Sequence, residues 1–147
     1  MKKPRVSIGL PVYNGDNYLK EAIESLLFQT FEDFELLISD NASTDQTGNI
    51  CRRFAEQDQR IKYVRNVENL GLTRNFNQVF TLSVGEYFKW ADHDEVFLAA
   101  FLLRCVELLD QLLCYARTIP TDAKRHLGKE WDSAIDFVPK FVQLEVS

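Results

Sequence analysis

Glycine is scarce in this chain, and where it occurs the spacing is wrong for a phosphate loop. The 147 residues hold six glycines, Gly9, Gly15, Gly48, Gly71, Gly85 and Gly128, and no pair has G-x-G-x-x-G or Walker spacing. That argues against a dinucleotide dehydrogenase or a P-loop NTPase. Histidine is scarcer still. His93 and His126 lie far apart with no H-E-x-x-H-like spacing, so a zinc hydrolase finds little support; they read as a supporting His93 and a surface His126. The three cysteines, Cys51, Cys105 and Cys114, are odd in number and show neither close pairing nor metal-type spacing. This suggests reduced, mostly buried thiols in a cytoplasmic protein. No long hydrophobic run occurs: the stretch from Val96 to Leu103 is too short to span a bilayer and is followed by Arg104, Glu107 and Asp110. The basic start Met1-Lys2-Lys3-Pro4-Arg5 is not followed by a signal-peptide core, because the apolar run breaks at Asn14 and Asp16. Location in the cytoplasm, with room for a peripheral association at the inner face of the membrane, is the expectation. Positive charge is also in deficit. With 17 Lys and Arg against 22 Asp and Glu the net charge is -5, which argues against a nucleic-acid partner. An anionic ligand here needs a metal or a local positive site.

What the chain does have is alternation. Its length suits one domain that buries about 70% of its unfolded surface. Val6–Val12 reads as a strand bounded by Pro11 and the turn residues Asn14-Gly15. A helix from about Asn17 should bury Leu19, Ala22, Ile23 and Leu26. Phe34–Ser39 is a second strand, and Ser43-x-x-Gln46 fits a capping box before a helix that buries Ile50, Cys51, Phe54 and Ala55. Ile61–Val64 is a short third strand, Leu72, Phe76, Val79 and Phe80 mark a third helix, and Glu86–Ala91 a fourth strand. A fourth helix over Phe97–Asp110 should turn Leu98, Phe101, Leu102, Cys105 and Leu109 inward. Strands alternating with helices imply an α/β fold with a mostly parallel sheet flanked by helices, three layers deep. Residues 1–118 form the domain. Residues 119–147 read as a short tail in which Phe137, Val138, Phe141, Val142 and Leu144 form one element packed on the sheet.

The densest chemistry follows the fourth strand. Trp90-Ala91-Asp92-His93-Asp94-Glu95 sets three carboxylates and an imidazole together, where open α/β sheets bind their ligands. Carboxylates spaced Asp-x-Asp can hold a hard divalent cation and leave positions open for phosphate oxygens. The competing reading is an acidic first turn of a helix, worth about 0.3–1 kcal/mol per charge without any ligand. Other strand ends carry further candidates. Tyr13 can present its ring to a base, or be a packed turn aromatic. Asp40 and Asn41 can hydrogen-bond a base edge or ribose, or serve turn and cap chemistry.

These pieces together resemble a known family. Val6-Ser7-Ile8-Gly9-Leu10-Pro11-Val12-Tyr13-Asn14, then Ser25-Leu26-Leu27-Phe28-Gln29-Thr30-Phe31, Asp40-Asn41-Ala42-Ser43-Thr44-Asp45, Asn69-Leu70-Gly71, Arg74-Asn75 and Gly85-Glu86-Tyr87 lead in order to the Asp-x-Asp cluster. Over about residues 4–118 the chain resembles the nucleotide-sugar-binding part of a family 2 glycosyltransferase with the GT-A fold, which is Rossmann-like. The resemblance implies an inverting, metal-dependent transfer from a nucleoside-diphosphate sugar, with a UDP-sugar favoured, to an acceptor hydroxyl on a carbohydrate or lipid-linked molecule. It implies nucleotide-sugar contacts at Pro11, Tyr13, Asp40, Asn41, Arg74 and Asp92. The implied metal is Mn²⁺ or Mg²⁺, on Asp94 with Asp92 or Glu95 assisting. Two departures from the family stand out. Asn41 occupies a position where the family often has a second aspartate. No carboxylate is marked as the catalytic base, although Glu130, Asp132 and Asp136 lie in the tail. The alternative is a non-catalytic nucleotide-sugar-binding module, or a truncated transferase lacking the acceptor half. A flank left uncovered near Phe97, Phe101 and Leu103, or at 137–144, predicts self-association or a partner there.

Overall fold

The hydrophobic runs near the start of the chain settle the architecture. Val6–Val12 (β1) and Phe34–Asp40 (β2) are buried at every residue, as strands covered on both faces must be. The computed structural model describes residues 2–116 and 137–139. The elements after β1 are α1 (Leu19–Leu27), β2, α2 (Thr47–Gln57), β3 (Ile61–Arg65), α3 (Leu72–Leu82), β4 (Tyr87–Trp90), α4 (Phe101–Ala116) and β5 (Phe137–Pro139). The sheet order is β3-β2-β1-β4-β5. Strands β1 to β4 run parallel, and β5 lies antiparallel on β4 with Phe137 beside Lys89. The mostly parallel α/β sheet expected from the sequence is the one that forms. No helix among the described residues is long and apolar enough to cross a membrane.

The two faces are covered unequally. Val6, Ile8, Leu10 and Val12 project toward α1, α2 and α4, where Leu19, Ile23, Cys51, Leu102 and Cys105 meet them. Each fully buried aliphatic side chain there contributes about 1.5–3 kcal/mol. Burial also pushes the Cys51 thiol up to about 12, so it stays protonated and unreactive at neutral pH. The opposite face carries α3, whose Val79 packs with Leu37 and Phe88. Gly9 permits that contact: a Cβ on it would stand 2.6 Å from Phe88 Cζ and 2.7 Å from Val79 Cγ2.

Polar side chains fix the far, amino edge of the sheet. Buried Glu35 accepts from Ser7 Oγ at 2.5 Å and from the Val84 N–H at 3.0 Å through one oxygen, and from Lys62 Nζ at 2.6 Å through the other. Ser7 Oγ in turn accepts from the Gly85 N–H at 2.7 Å. The turn that launches β4 is thereby tied to β1 and β2. Burial pushes the Glu35 carboxyl up, but the donors from Lys62, Ser7 and Val84 outweigh it and hold the group below the ordinary carboxylate range. Arg5 forks onto Asp110 at 3.0 and 2.5 Å, and the Tyr87 hydroxyl donates to the same carboxylate at 2.8 Å, which ties α4 to the sheet.

Several sequence expectations shift. Helix α4 starts at Phe101 instead of Phe97 because the preceding segment is held by α1. The Phe97 N–H donates to Ser25 Oγ at 3.1 Å, while Gln29 donates to the Leu98 carbonyl at 2.8 Å and accepts from the Leu102 N–H at 3.0 Å. Leu98, expected inward, is consequently 84% exposed. Leu72, expected on the buried face of α3, is 77% exposed. The capping box does not form: Asp45 Oδ1 accepts from the Thr47 N–H at 2.9 Å, and Ser43 Oγ instead accepts from the Asn14 N–H at 2.9 Å. Phe97 and Phe101, expected on an uncovered flank, are partly buried against the core, with the Lys89 ammonium 5.2 and 5.4 Å from their ring centroids. Of the tail element, residues 137–139 form β5, while Phe141, Val142 and Leu144 lie outside the described residues.

Two outcomes follow from this packing. Gly9→Ala should lower the unfolding free energy by about 1–3 kcal/mol through overpacking, read by urea denaturation. The Glu35 contribution is present above the ordinary carboxylate value of 4.5 and is lost as pH falls through the depressed native value. The stability gap between wild type and Glu35→Gln should therefore narrow between about pH 5 and about pH 3.

Candidate functional site

Four parallel strands end on one edge of the sheet, so the loops leaving β1, β2, β3 and β4 converge there. Pro11 helps to open that edge. The β1–β4 ladder stops at Gly9 and Trp90, with the Ala91 N–H donating to the Gly9 carbonyl at 2.8 Å. Pro11 lies two residues on, faces the same neighbour, and has no N–H to continue the ladder. β4 ends at Trp90, and the Asp92–Glu95 turn that follows leaves Asp92, Asp94 and Glu95 exposed.

The first two loops are stitched to each other. The Asn14 N–H donates to Ser43 Oγ, the Thr44 N–H to Asn14 Oδ1 at 2.8 Å, the Gly15 N–H to Thr47 Oγ1 at 2.9 Å and the Asp16 N–H to Asp45 Oδ2 at 3.2 Å. Beneath them lies Asp40, with no solvent exposure. Its Oδ1 accepts from the Ser43 N–H at 2.8 Å, and its Oδ2 from the Tyr63 hydroxyl at 2.9 Å and Arg65 Nη1 at 2.7 Å. Burial, then the hydrogen bond to Asp40, pushes the Tyr63 hydroxyl up to about 12, so it stays a donor. Gly48 leaves room for the group, since a Cβ there would stand 2.7 Å from Arg65 Nη1.

A second polar group holds the loop between β3 and α3. Asn41 is 3% exposed. Its Nδ2 donates to Asn69 Oδ1 at 2.8 Å, and its Oδ1 accepts from the Leu70 N–H at 2.8 Å and Asn66 Nδ2 at 3.1 Å. Asn66 Nδ2 also donates to Asn75 Oδ1 at 3.2 Å, which accepts from Ser39 Oγ at 2.6 Å. Gly71, at φ 83°, turns the chain into α3, whose first turn carries the exposed Arg74.

Of the residues singled out in the sequence, Tyr13, Arg74, Asp92 and Asp94 stand exposed around this edge, and Pro11 is buried below it. Asp40 and Asn41 sit under the same edge with their polar side-chain atoms engaged inside the protein. His93 is half-buried and bears on the β1–α1 loop: a Cβ on Gly15 would meet its ring at 2.6 Å. No three His, Cys, Asp or Glu side chains among the described residues are gathered as metal ligands. Asp92 and Asp94 nevertheless fit part of a hard-cation shell, because both are exposed carboxylate oxygen donors two positions apart just after β4. The remaining positions would fall to phosphate oxygens and water. Sequence reasoning did not assign Tyr63, Arg65, Asn66 or Asn75 to this edge. The one available signal was the density of asparagines between Asn66 and Asn77.

Residues 7–140 match the family described as Glycosyl transferase family 2. Glycosyltransferase GlyA of Streptococcus pneumoniae is 35% identical over 91 residues, covering 62% of this chain and 13% of that protein. The S. aureus TarS 1–349 structure in complex with UDP is similar with a TM-score of 0.68 at 26% identity, covering 73% of this chain and 32% of that one. The mannosyltransferase PcManGT from Pyrobaculum calidifontis, solved with GDP-Man and Mn²⁺, is similar with a TM-score of 0.67 at 26% identity, covering 74% and 33%. The chain therefore spans between 13% and 33% of the length of these relatives, and its sheet is that of the GT-A transferases.

The Asp40 group is open to a direct check. Tyr63→Phe removes one of the donors to a fully buried carboxylate and should lower stability by about 1.5–3 kcal/mol, measured by chemical denaturation.

Proposed function

This chain belongs to glycosyl transferase family 2, and on that premise we propose that it forms the donor site of an inverting transferase. The donor is a nucleoside-diphosphate sugar, with a UDP-sugar favoured, and the acceptor is a hydroxyl on a carbohydrate or lipid-linked molecule. The observation that carries this reading is the convergence of an exposed cation, Arg74, and two exposed carboxylates, Asp92 and Asp94, on one sheet edge. A nucleoside diphosphate is the ligand class that uses both signs: its phosphates meet the arginine directly and the carboxylates through a cation.

The roles divide along the edge. Tyr13, with Pro11 under it, borders the nucleoside half, and Asp40 and Asn41 shape that half from below. Arg74, at the amino end of α3, is set for the diphosphate, because helix amino ends and guanidinium groups both favour phosphate oxygens. Asp94, with Asp92, would hold Mn²⁺ or Mg²⁺, which when bound neutralises charge on the departing diphosphate as a Lewis acid. Complexes of similar proteins with UDP, UDP-GlcNAc, and GDP-Man with Mn²⁺ support the ligand class. The acceptor hydroxyl attacks the anomeric carbon from the face opposite the leaving group, with a carboxylate base taking its proton. The tail carboxylates Glu130, Asp132 and Asp136 lie outside the described residues. Cys51 and Cys105, both buried thiols, support a place in the reducing cytoplasm.

Calorimetric titration of UDP, GDP and their sugar conjugates tests the reading. Binding should require Mn²⁺ or Mg²⁺, vanish with a chelator, and weaken by about tenfold or more in Asp94→Ala and in Arg74→Ala, as expected when a charge-assisted contact is removed. A folded wild-type chain that binds no nucleotide with either metal would sink the proposal.

A further inference from the structure

The amide at position 41 has a role that a carboxylate cannot fill, and backbone groups fix its orientation. The Leu70 N–H can only donate, so the atom of Asn41 facing it at 2.8 Å is the oxygen. The Gly71 N–H likewise fixes Asn69 Oδ1, at 2.8 Å. The Ser39 carbonyl can only accept, so the atom of Asn75 facing it at 3.0 Å is Nδ2. With those three ends pinned, each contact between the amides pairs a donor with an acceptor: Asn41 Nδ2 to Asn69 Oδ1, Asn66 Nδ2 to Asn41 Oδ1, and Asn66 Nδ2 to Asn75 Oδ1. Asn41 has no spare capacity: its second N–H lies 3.4 Å from the Gly71 carbonyl. Asn69 is exposed, with its oxygen held by Asn41 and Gly71. Its NH₂ group is the part left facing out.

Resting on the donor-site reading, we propose that Asn41 is a positioning residue. Its neutral amide tethers residues 66–71, and through them sets the outward amide of Asn69 and the first turn of α3 with Arg74 in the geometry that receives a nucleoside diphosphate. A carboxylate at 41 would face Asn69 Oδ1 acceptor to acceptor. Turning the Asn69 amide around would relieve that contact but set its NH₂ against the Gly71 N–H, so ionised Asp at 41 breaks the chain at one point or the other. Protonated Asp has the shape and the donor of the amide and restores the chain.

The test is Asn41→Asp beside Asn41→Ala and wild type. It reads UDP and GDP affinity with Mn²⁺, and amide exchange of Leu70 and Gly71 by NMR, from about pH 8 down to about pH 3.5, a range that covers a carboxyl raised by burial and reaches below the ordinary Asp value of about 3.9. At the alkaline end Asn41→Asp should bind about tenfold more weakly than wild type and lose protection at Leu70 and Gly71, with the β1 and β2 amides still protected. On acidification its affinity relative to wild type should recover, while Asn41→Ala should stay weak throughout. A space-filling role predicts near-equality of Asn41→Asp and wild type at every pH. That result, or a loss in Asn41→Asp that acid does not reverse, overturns the positioning role alone. A folded wild-type chain that binds neither nucleotide overturns the donor-site reading, and this role with it.

Discussion

The constraint on which the rest depends is that polar groups buried where a parallel sheet stops must find partners. Inside the sheet, the ladder satisfies the backbone. At the carboxyl edge it ends, and the side chains there lie under loops with little water to serve them. An unmet buried donor or acceptor costs about 1–3 kcal/mol. Asp40 and Asn41, adjacent at the end of β2, answer this in two ways. The carboxylate of Asp40 is matched by a tyrosine, an arginine and a backbone N–H. The amide of Asn41 is matched by other amides. Each solution recruits a different loop, and together they set where the edge opens.

How much of this could be read in the sequence depends on the range of the interaction responsible. The central strands were legible because burial on both faces demands apolar runs, and Val6–Val12 and Phe34–Asp40 supply them. Their parallel pairing followed from the intervening helices. The start of α4 was not legible, because Ser25 and Gln29 hold the segment before it from about seventy positions away, and local periodicity carries no trace of that. The capping box failed for the same reason: Ser43 was claimed by Asn14 on another loop. At the site, Tyr13, Arg74, Asp92 and Asp94 could be named because each has a reactive side chain at a strand or helix end. Tyr63, Arg65, Asn66 and Asn75 could not, since their meaning lies in partners 9 to 36 positions away.

Charge follows the same division. The chain is acidic overall, at -5, and a polyphosphate ligand would meet repulsion at an edge lined with uncompensated carboxylates. Asp40 is neutralised in place by Arg65, and position 41 carries no charge. Asp92, Asp94 and Glu95 stand exposed in the turn after β4, two strands from Asp40, and Glu68 is exposed in the loop before α3. Arg74 stands exposed at the start of α3 with no acidic residue in that helix's first turn. The half of the edge built on β1 to β3 is thus held close to neutral beneath, with a cation above it, while negative charge is gathered where a metal ion would turn it to use.

That arrangement explains why the rigid and the exposed parts of the edge are different residues. Binding a flexible ligand is costly when the protein must order itself at the same time, and a surface ordered in advance avoids that cost. Here the ordering is done by groups with no freedom left: Asp40 and Asn41 are buried with every side-chain polar atom engaged. Of the groups set to meet a ligand, Tyr13, Asn69 and Arg74 sit one layer further out on backbone that the inner layer ties down. Asp92 and Asp94 follow β4, held to β1 through Ala91 and Gly9. A substitution in the outer layer removes a contact. One in the inner layer leaves the contacts in the sequence and misplaces them, so the inner residues act on binding without touching what is bound.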